Sequence, residues 1–348
     1  MVATTDIFTM RPSNLPAVTG LSTAEIESHG MAPLLYAQTG DAALRGAAVR
    51  AAALEPFRLA DLRALLDALR GIDVLITKGT ALAYSLYERP ELRPRADTDL
   101  LIDAARLDAV RAVFRGLGYD EPLSSGDMEQ TMFRRVDAAG VDHVYDVHWA
   151  LTNAPVFAGV LRFDELLGRG VALPQIHEHA RTPCDVDALL YACVHRVAHH
   201  FDSDRLIWLA DIHFLRERMS RGEHARFWAL AAEREVIGVC MRSIARANEA
   251  FGGGEHDLAP EFLDAAAIAR REPTRAYLER DPRRLRVLRA ELAGLRGWRA
   301  RVRKLRQLAF PPASFLQERF GTRSRLALPW LYAFRAARGV ARLFRRVT

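Results

Sequence analysis

A strand-like run that passes directly into a helix is the segment that most limits how this 348-residue chain folds. Asp73–Thr77 is short, apolar and rich in β-branched residues, which predicts a buried strand. Helical spacing follows in Thr80–Tyr87 and stops before a proline. Because Gly79 lies at the junction, the chain can turn tightly and present free backbone N–H groups at the positive end of the helix. We therefore expect Lys78, Gly79 and Thr80 to bind phosphate, with the Thr80 hydroxyl donating to a phosphate oxygen.

A pair of acids opens the next strand-like run, Asp97–Ile102. Side chains two residues apart on a strand point to the same face, so Asp97 and Asp99 can present both carboxylates to one point. Two such charges repel each other unless a cation joins them. Mg²⁺ favours this oxygen environment and leaves coordination positions for substrate phosphates, so we predict Mg²⁺ here, with Mn²⁺ as the alternative ion.

A third acid lies in an apolar strand further along the chain. Thr131–Val136 and Val141–Trp149 have the pattern of an antiparallel pair around an Ala-Gly turn at 139–140. Asp146 lies within the second strand, where a lone carboxylate would be expensive to bury. Coordination of a metal would explain it, and a two-metal site needs a third carboxylate.

Most of the remaining chain has helical spacing. Residues 41–69 predict two helices separated at Pro56, and Arg106–Leu117 predicts another that ends at a glycine. Beyond residue 182 the predicted helices are Asp185–His200, Asp204–Met219, Glu223–Val236 and Cys240–Phe251, and the glycine run at 252–254 predicts a linker or turn.

Four motifs in this order resemble those of the uncharacterised nucleotidyltransferase family within the DNA-polymerase-β-like superfamily. The resemblance covers roughly residues 40–250 and is carried by these residues: Lys78-Gly79, Leu82-Ala83, Tyr87, Arg93-Pro94 and Asp97-x-Asp99; Asp146-x-His148-Trp149; Asp187 through His195, with His199; and Arg205-Leu206-x-Trp208-Leu209-x-Asp211. The superfamily commonly has Gly-Ser at the phosphate turn, whereas this chain has Gly79-Thr80, which keeps the hydroxyl.

The resemblance implies an α+β fold, with a small mixed β-sheet nucleotidyltransferase core in a mostly helical chain. It also implies two metals bridged by Asp97 and Asp99, with Asp146 aiding the nucleophile. Arg93 is expected to contact the triphosphate, although a salt bridge is an equal alternative. The predicted domains are an N-terminal helical lead-in (1–70), the core (71–180), a helical domain (181–275) and a basic helical C-terminal region (276–348).

Three histidines are candidate pocket residues. His195 and His199 lie one helical turn apart, a spacing that zinc sites use, but the sequence offers no further cysteine or histidine pair to complete four ligands. We expect both to pack beside the nucleotide pocket or in the helical core. His148 follows Asp146 by two residues, so it can face the same cleft. Asp211 is expected to pair with Arg205 or His195.

Charge is distributed unevenly along the chain. Residues 283–348 carry 18 Arg plus Lys against two acids, a net charge of +16, whereas the rest carries −10. The basic helix predicted at 328–346 could bind RNA or an anionic surface, or dock on the body with its arginines outward. The three cysteines show no pairing pattern, which is typical of a reducing compartment. Residues 1–16 have no leader-like pattern, and no apolar run is long enough to span a membrane. We therefore predict a cytoplasmic protein without a transmembrane segment.

The predicted activity is the transfer of a nucleoside monophosphate from a nucleoside triphosphate to an acceptor hydroxyl, with release of pyrophosphate. The acceptor would be a small molecule, a peptide or a protein. Two alternatives stay open at this point: a toxin that adds nucleotides to RNA such as tRNA, and an inactive module that binds a nucleotide or a partner. The presence of all three aspartates argues against the inactive module.

Overall fold

A computed structural model describes residues 18–122, 129–252, 268–279, 284–295, 297–322 and 324–343. Two of the sequence predictions concern residues outside these ranges. They are the absence of a leader-like pattern in residues 1–16 and the linker or turn at the glycines 253–254.

A four-stranded mixed sheet forms the centre of the fold. Its strands are β1 (Val74–Thr77), β2 (Thr98–Ile102), β3 (Gln130–Val136) and β4 (Asp142–His148), in the spatial order β1-β2-β4-β3. β1 runs antiparallel to β2, β2 runs parallel to β4, and β3 and β4 form the antiparallel pair that the sequence predicts. The α+β prediction is therefore confirmed.

The alternation of side chains gives this sheet two different faces. Ile76, Leu100, Phe133 and Tyr145 point to one face and belong to a hydrophobic core that they share with two helices, α3 (Arg45–Ala68) and α5 (Leu107–Gly116). The residues between them point the other way, because successive side chains on a strand alternate. Asp99, Asp146 and His148 therefore share the opposite face.

The helices precede, connect and follow these strands. The remaining ones before residue 252 are α1 (Thr23–Ser28), α2 (Ala32–Thr39), α4 (Lys78–Ser85), α6 (Phe163–Arg169), α7 (Asp185–Ala198), α8 (Leu206–Arg218), α9 (Arg221–Glu233) and α10 (Ile237–Phe251). The C-terminal ones are α11 (Arg284–Gly294), α12 (Trp298–Ala309), α13 (Ala313–Arg319) and α14 (Leu328–Leu343). Two short strands, β5 (Val171–Ala172) and β6 (Arg181–Thr182), pair antiparallel before α7.

The predicted break at Pro56 is wrong, because α3 continues through the proline as one helix of 24 residues. An internal proline removes one hydrogen bond and costs about 3 kcal/mol. Contacts on either side hold the helix in place: the Glu55 carboxylate accepts two bonds from Arg95 at 2.6 and 2.8 Å, and Leu62 and Leu65 are buried under the sheet. Tertiary packing therefore outweighs the local penalty.

A second and larger hydrophobic core lies among the helices that follow the sheet. It joins side chains of α7, α8 and α10 to Leu75 and Leu101 on the second face of the sheet. This packing places α7 and α8 beside the carboxylates.

Two further sequence predictions concern cysteines and membrane segments. Cys184, Cys193 and Cys240 are all free thiols, as expected. A search of the described residues found no helix with the length and apolar character needed to cross a membrane.

Candidate active site

Asp99 and Asp146 are direct neighbours across the parallel pair of β2 and β4. Asp97 lies in the extended chain just before β2, two residues from Asp99. All three aspartates line one cavity of about 380 Å³, together with Lys78 and Gly79. The structure thus brings together acids that are 49 residues apart in sequence and places them beside the predicted phosphate turn.

Lys78 and His148 both contact the central carboxylate. The Lys78 ammonium donates to Asp99 Oδ1 at 2.6 Å, and Nε2 of His148 lies 2.9 Å from the same oxygen. Lys78 Nζ and His148 Nε2 are 3.3 Å apart. The positive charge of Lys78 therefore offsets the repulsion among the aspartates.

The pKa values of the three carboxyl groups differ because their surroundings differ. Burial alone would raise the pKa of Asp99, but the charge of Lys78 and the His148 hydrogen bond lower it to about 2. Burial, followed by the charges of Asp99 and Asp97, raises the pKa of Asp146 to about 6. Burial and the Asp99 charge also raise the pKa of Asp97. These mutual effects indicate that the three acids form one electrostatic unit.

The donor set at this site fits a divalent cation. One ligand atom each from Asp99, Asp146 and His148 lies within 4.8 Å of the others. The predicted metal ligands were Asp97, Asp99 and Asp146, and Asp97 is not part of this compact group. His148 takes its place there. Asp97 and Asp146 form no ion pair with any residue that the structure describes. Their oxygens are therefore available to a hard cation, which prefers oxygen ligands.

The strand-to-helix turn has unusual backbone geometry. Lys78 adopts a φ of +51°, which is uncommon for a residue with a side chain. Gly79 follows within the first turn of α4, and a Cβ there would overlap the Arg93 guanidinium. Thr80 is fully buried, and its hydroxyl donates to Thr98 Oγ1 at 3.1 Å, which holds α4 against β2. Thr80 does not line the cavity.

Arg93 is held by a buried salt bridge beneath the turn. Its Nε and Nη2 donate to the two carboxylate oxygens of Asp211 at 3.2 and 2.6 Å, and the Tyr87 hydroxyl donates to the same carboxylate at 2.8 Å. Arg93 and Asp211 nevertheless line the cavity. The fork geometry of the guanidinium matches a carboxylate and fixes the position of Arg93.

The expected pairing of Asp211 with Arg205 or His195 is wrong. Arg205, the residue before α8, lines the same cavity as Asp211. Among the described residues no ion pair joins the two, because Arg93 and Tyr87 already donate to the Asp211 carboxylate. The Arg205 guanidinium instead lies over the Trp208 ring, 5.3 Å from its centroid.

Five ring side chains form the helical wall of the cavity, which we define as Tyr191, His195, His199, His200 and Trp208. Burial, the largest effect, lowers the pKa of His195 well below its ordinary value, that of His199 to about 3 and that of His200 to about 4. The three imidazoles are therefore neutral at pH 7.

The loop that follows α7 is fixed by a buried arginine. Arg196 is fully buried, and its guanidinium donates to the Ser203 carbonyl at 3.0 Å and to the carboxylates of Asp202 and Asp204. Because this loop carries His200, the pairing holds one side of the helical wall in position.

Not every residue that lines the cavity is predicted from the sequence. His148, His195 and His199 are the predicted pocket residues, and all three line the cavity. Tyr191 and Trp208 also line it, and the sequence patterns predicted no role for them. The signal for Tyr191 was its position four residues before His195 and eight before His199, which places the three on one side of a helix.

The sequence model of the uncharacterised nucleotidyltransferase family matches residues 18–252, about two thirds of the chain. A comparison with curated proteins found no match. The matched segment contains the sheet, the three aspartates and the helical wall, and the chain therefore belongs to the uncharacterised nucleotidyltransferase family.

Proposed function

We propose that this protein is a metal-dependent nucleotidyltransferase that moves a nucleoside monophosphate from a nucleoside triphosphate to an acceptor hydroxyl. The observation that carries the proposal is the side-by-side placement of Asp99 and Asp146 in the cavity that also contains Asp97, Lys78 and Gly79. Charged groups that converge in a cleft and shift each other's pKa are typical of catalytic sites.

Mg²⁺, or Mn²⁺ in its place, would be held by the oxygens of Asp97, Asp99 and Asp146. Bound there, the cation supplies Lewis-acid stabilisation of the charge that develops on the phosphate oxygens. His148 Nε2 lies close enough to serve as a further ligand, and a nitrogen donor would favour Mn²⁺ over Mg²⁺.

The side chains would position the reactants and move one proton. Lys78 and the backbone N–H groups at the start of α4 bind the triphosphate, and Arg93 holds the turn beneath it. The acceptor oxygen attacks the α-phosphorus in line with the bond to the leaving group. An O–P bond forms, the bond to the β-phosphate bridging oxygen breaks, and pyrophosphate leaves. The Asp146 carboxylate, which lies beside Asp99 in the cavity, takes the acceptor proton on an oxygen that the cation does not occupy.

Incubation with labelled triphosphates tests this proposal. The protein would be mixed with each α-labelled nucleoside triphosphate, with Mg²⁺ or Mn²⁺, and with fractionated cell extract as the source of acceptor. Transfer of label to one fraction, with release of pyrophosphate, is the expected result. Asp99→Asn and Asp146→Asn should lower the rate by at least about 100-fold, because each removes charge that the cation requires.

The matched control is Asp142→Asn, an exposed position on the same strand as Asp146. It should keep the wild-type rate. Circular dichroism of all three variants checks that the fold is intact. Full activity in Asp99→Asn or Asp146→Asn would refute the assignment.

RNA as acceptor is a second candidate, and one observation favours it. Arg299, Arg301, Arg303 and Arg306 are exposed on α12, so the basic C-terminal region presents positive charge to solvent. RNA phosphates would be attracted to such a surface, and the binding would weaken steeply with salt.

A further inference from the structure

The helical wall contains polar atoms whose partners are missing from the protein. Nε2 of His199 is buried and has no hydrogen-bond partner among the described residues. The buried Tyr191 hydroxyl lies beside Lys78 and Thr77, but none of the described residues meets it with the geometry of a hydrogen bond. Tyr191 as a whole is only 3% exposed. Leaving buried polar groups unpaired costs free energy, so such groups usually have a partner that completes them.

The rings of this wall are packed against each other. The His200 and Trp208 centroids are 4.0 Å apart at an interplanar angle of 32°, and those of His195 and His199 are 5.0 Å apart at 31°. Tyr191 meets His195 edge to face, with centroids 5.9 Å apart. Contiguous ring surfaces of this kind suit a flat, aromatic ligand.

Charge is divided between the two sides of the cavity. The sheet side carries the aspartates and Lys78, whereas the five rings of the helical wall are uncharged at pH 7. The Arg205 guanidinium, which lies over the Trp208 ring, is a charged group beside this wall. The Tyr191 ring centroid lies 5.8 Å from Lys78 Nζ, so the uncharged side begins where the charged side ends. A ligand that fits both sides has an anionic end and a neutral, flat, polar end.

We propose that the helical wall is the nucleobase subsite, in which Tyr191 and His199 hydrogen-bond the edge of the base of the nucleoside triphosphate while its phosphates lie against Lys78. A nucleotide combines both ends in one molecule. A neutral imidazole offers one donor and one acceptor, as does a phenol, and this is the chemistry of a base edge. The inference rests on the proposed function, since it assigns the other end of the same substrate.

The test compares ligands with and without a base. Isothermal titration in Mg²⁺ would measure the Kd of each of the four common nucleoside triphosphates and of inorganic tripolyphosphate. Wild type should bind at least one nucleoside triphosphate about 10-fold or more tighter than tripolyphosphate, since stacking on aromatic rings and pairing of polar groups both add affinity.

Two variants locate the effect. Tyr191→Phe removes only the hydroxyl oxygen, and His199→Leu removes the imidazole. Each should raise the Kd of the preferred triphosphate by about 5- to 30-fold, the usual effect of an unpaired buried polar group, and leave the Kd of tripolyphosphate within about twofold. Tyr332→Phe is the matched control, because Tyr332 lies on α14, does not line the cavity and donates its hydroxyl to the Pro311 carbonyl.

The possible results separate the two proposals. If wild type binds tripolyphosphate as tightly as every nucleoside triphosphate, or if the variants weaken both ligands equally, the base subsite is refuted while the proposed activity stands. If the variants leave triphosphate binding unchanged and raise only the KM of the acceptor, the wall binds the acceptor and the inference is wrong. If wild type binds neither ligand, the proposed function itself fails.

Discussion

The Lys78 ammonium lies 2.6 Å from Oδ1 of Asp99, and the two side chains are 15% and 7% exposed to solvent. Lysine 78 is one of only two lysines in a chain with 47 arginines. A compact ammonium fits between the carboxylate and the imidazole of His148, where a planar guanidinium would require more space. The pair therefore links the phosphate turn to the centre of the acidic cluster.

Removal of this cation should weaken the fold and abolish transfer. Lys78→Met leaves Asp99 buried beside two other acids, and loss of one partner of a buried ion pair costs about 3–5 kcal/mol. We expect a loss of that order in the free energy of unfolding, measured with urea in EDTA. Mg²⁺ should restore more stability to the variant than to wild type, because it replaces the missing charge.

Lys304→Met is the control, since Lys304 is the other lysine of the chain and lies in α12. It should change neither stability nor the effect of Mg²⁺. Equal stability of Lys78→Met and wild type in EDTA would show that the ion pair contributes little.

Gly79 should not tolerate even a methyl group. An alanine Cβ at this position would overlap the Arg93 guanidinium, which cannot swing away without breaking its two bonds to Asp211. We expect Gly79→Ala to lower the free energy of unfolding by about 2 kcal/mol or more, as a disrupted buried network does. The affinity for a nucleoside triphosphate should also fall.

Gly222→Ala is the matched control for that substitution. Gly222 is the second residue of α9, as Gly79 is of α4, and nothing lies within 4 Å of a Cβ built there. Alanine should leave stability unchanged or raise it by up to about 1 kcal/mol, because it favours helix more than glycine does. If the two substitutions have the same effect, the close approach of Arg93 is unimportant.

The buried histidines should make the protein sensitive to mild acid. Burial lowers the pKa of His199 to about 3, whereas a histidine in the unfolded chain titrates near 6.5. The folded state therefore favours the neutral ring, and its stabilising contribution is complete above pH 6.5 and is lost as the pH falls towards 3. After allowance for partial exposure, we expect His199 to account for about 1–2 kcal/mol of lost stability between pH 7 and 5.

Urea unfolding at pH 7, 6 and 5 checks this dependence. His199→Gln, which cannot be protonated, should lose less stability than wild type over the same interval. If the stabilities of the variant and of wild type fall in parallel, the ring does not resist protonation as predicted.

Reversal of charge on α12 separates the two classes of acceptor. The triple variant Arg299→Glu, Arg303→Glu and Arg306→Glu changes exposed positions of the C-terminal region. If the acceptor is a small molecule, a peptide or a protein that does not depend on this surface, labelling stays within about twofold of wild type and depends weakly on salt. A loss of labelling beyond about 10-fold, with a steep salt dependence in wild type, would favour RNA instead.

The residues themselves determined the local parts of the fold and of the site. The alternation in 97–102 predicted that Asp97 and Asp99 point to the same side, and both line the cavity, with Asp97 just before β2. The turn at 139–140 predicted the pairing of β3 with β4. The order of the motifs predicted the family, which the comparison confirmed. These features depend on neighbours along the chain, whose spacing and turn chemistry are visible in the sequence.

The tertiary structure alone decided which distant residues meet. The parallel register of β2 and β4 put Asp146 opposite Asp99, and packing of α8 against the turn paired Asp211 with Arg93 instead of Arg205. Packing also kept α3 continuous through Pro56. Each outcome depends on contacts between segments that are far apart in sequence. The free energy of these contacts exceeds the local conformational preferences, and the spacing of residues along the chain does not predict which segments meet.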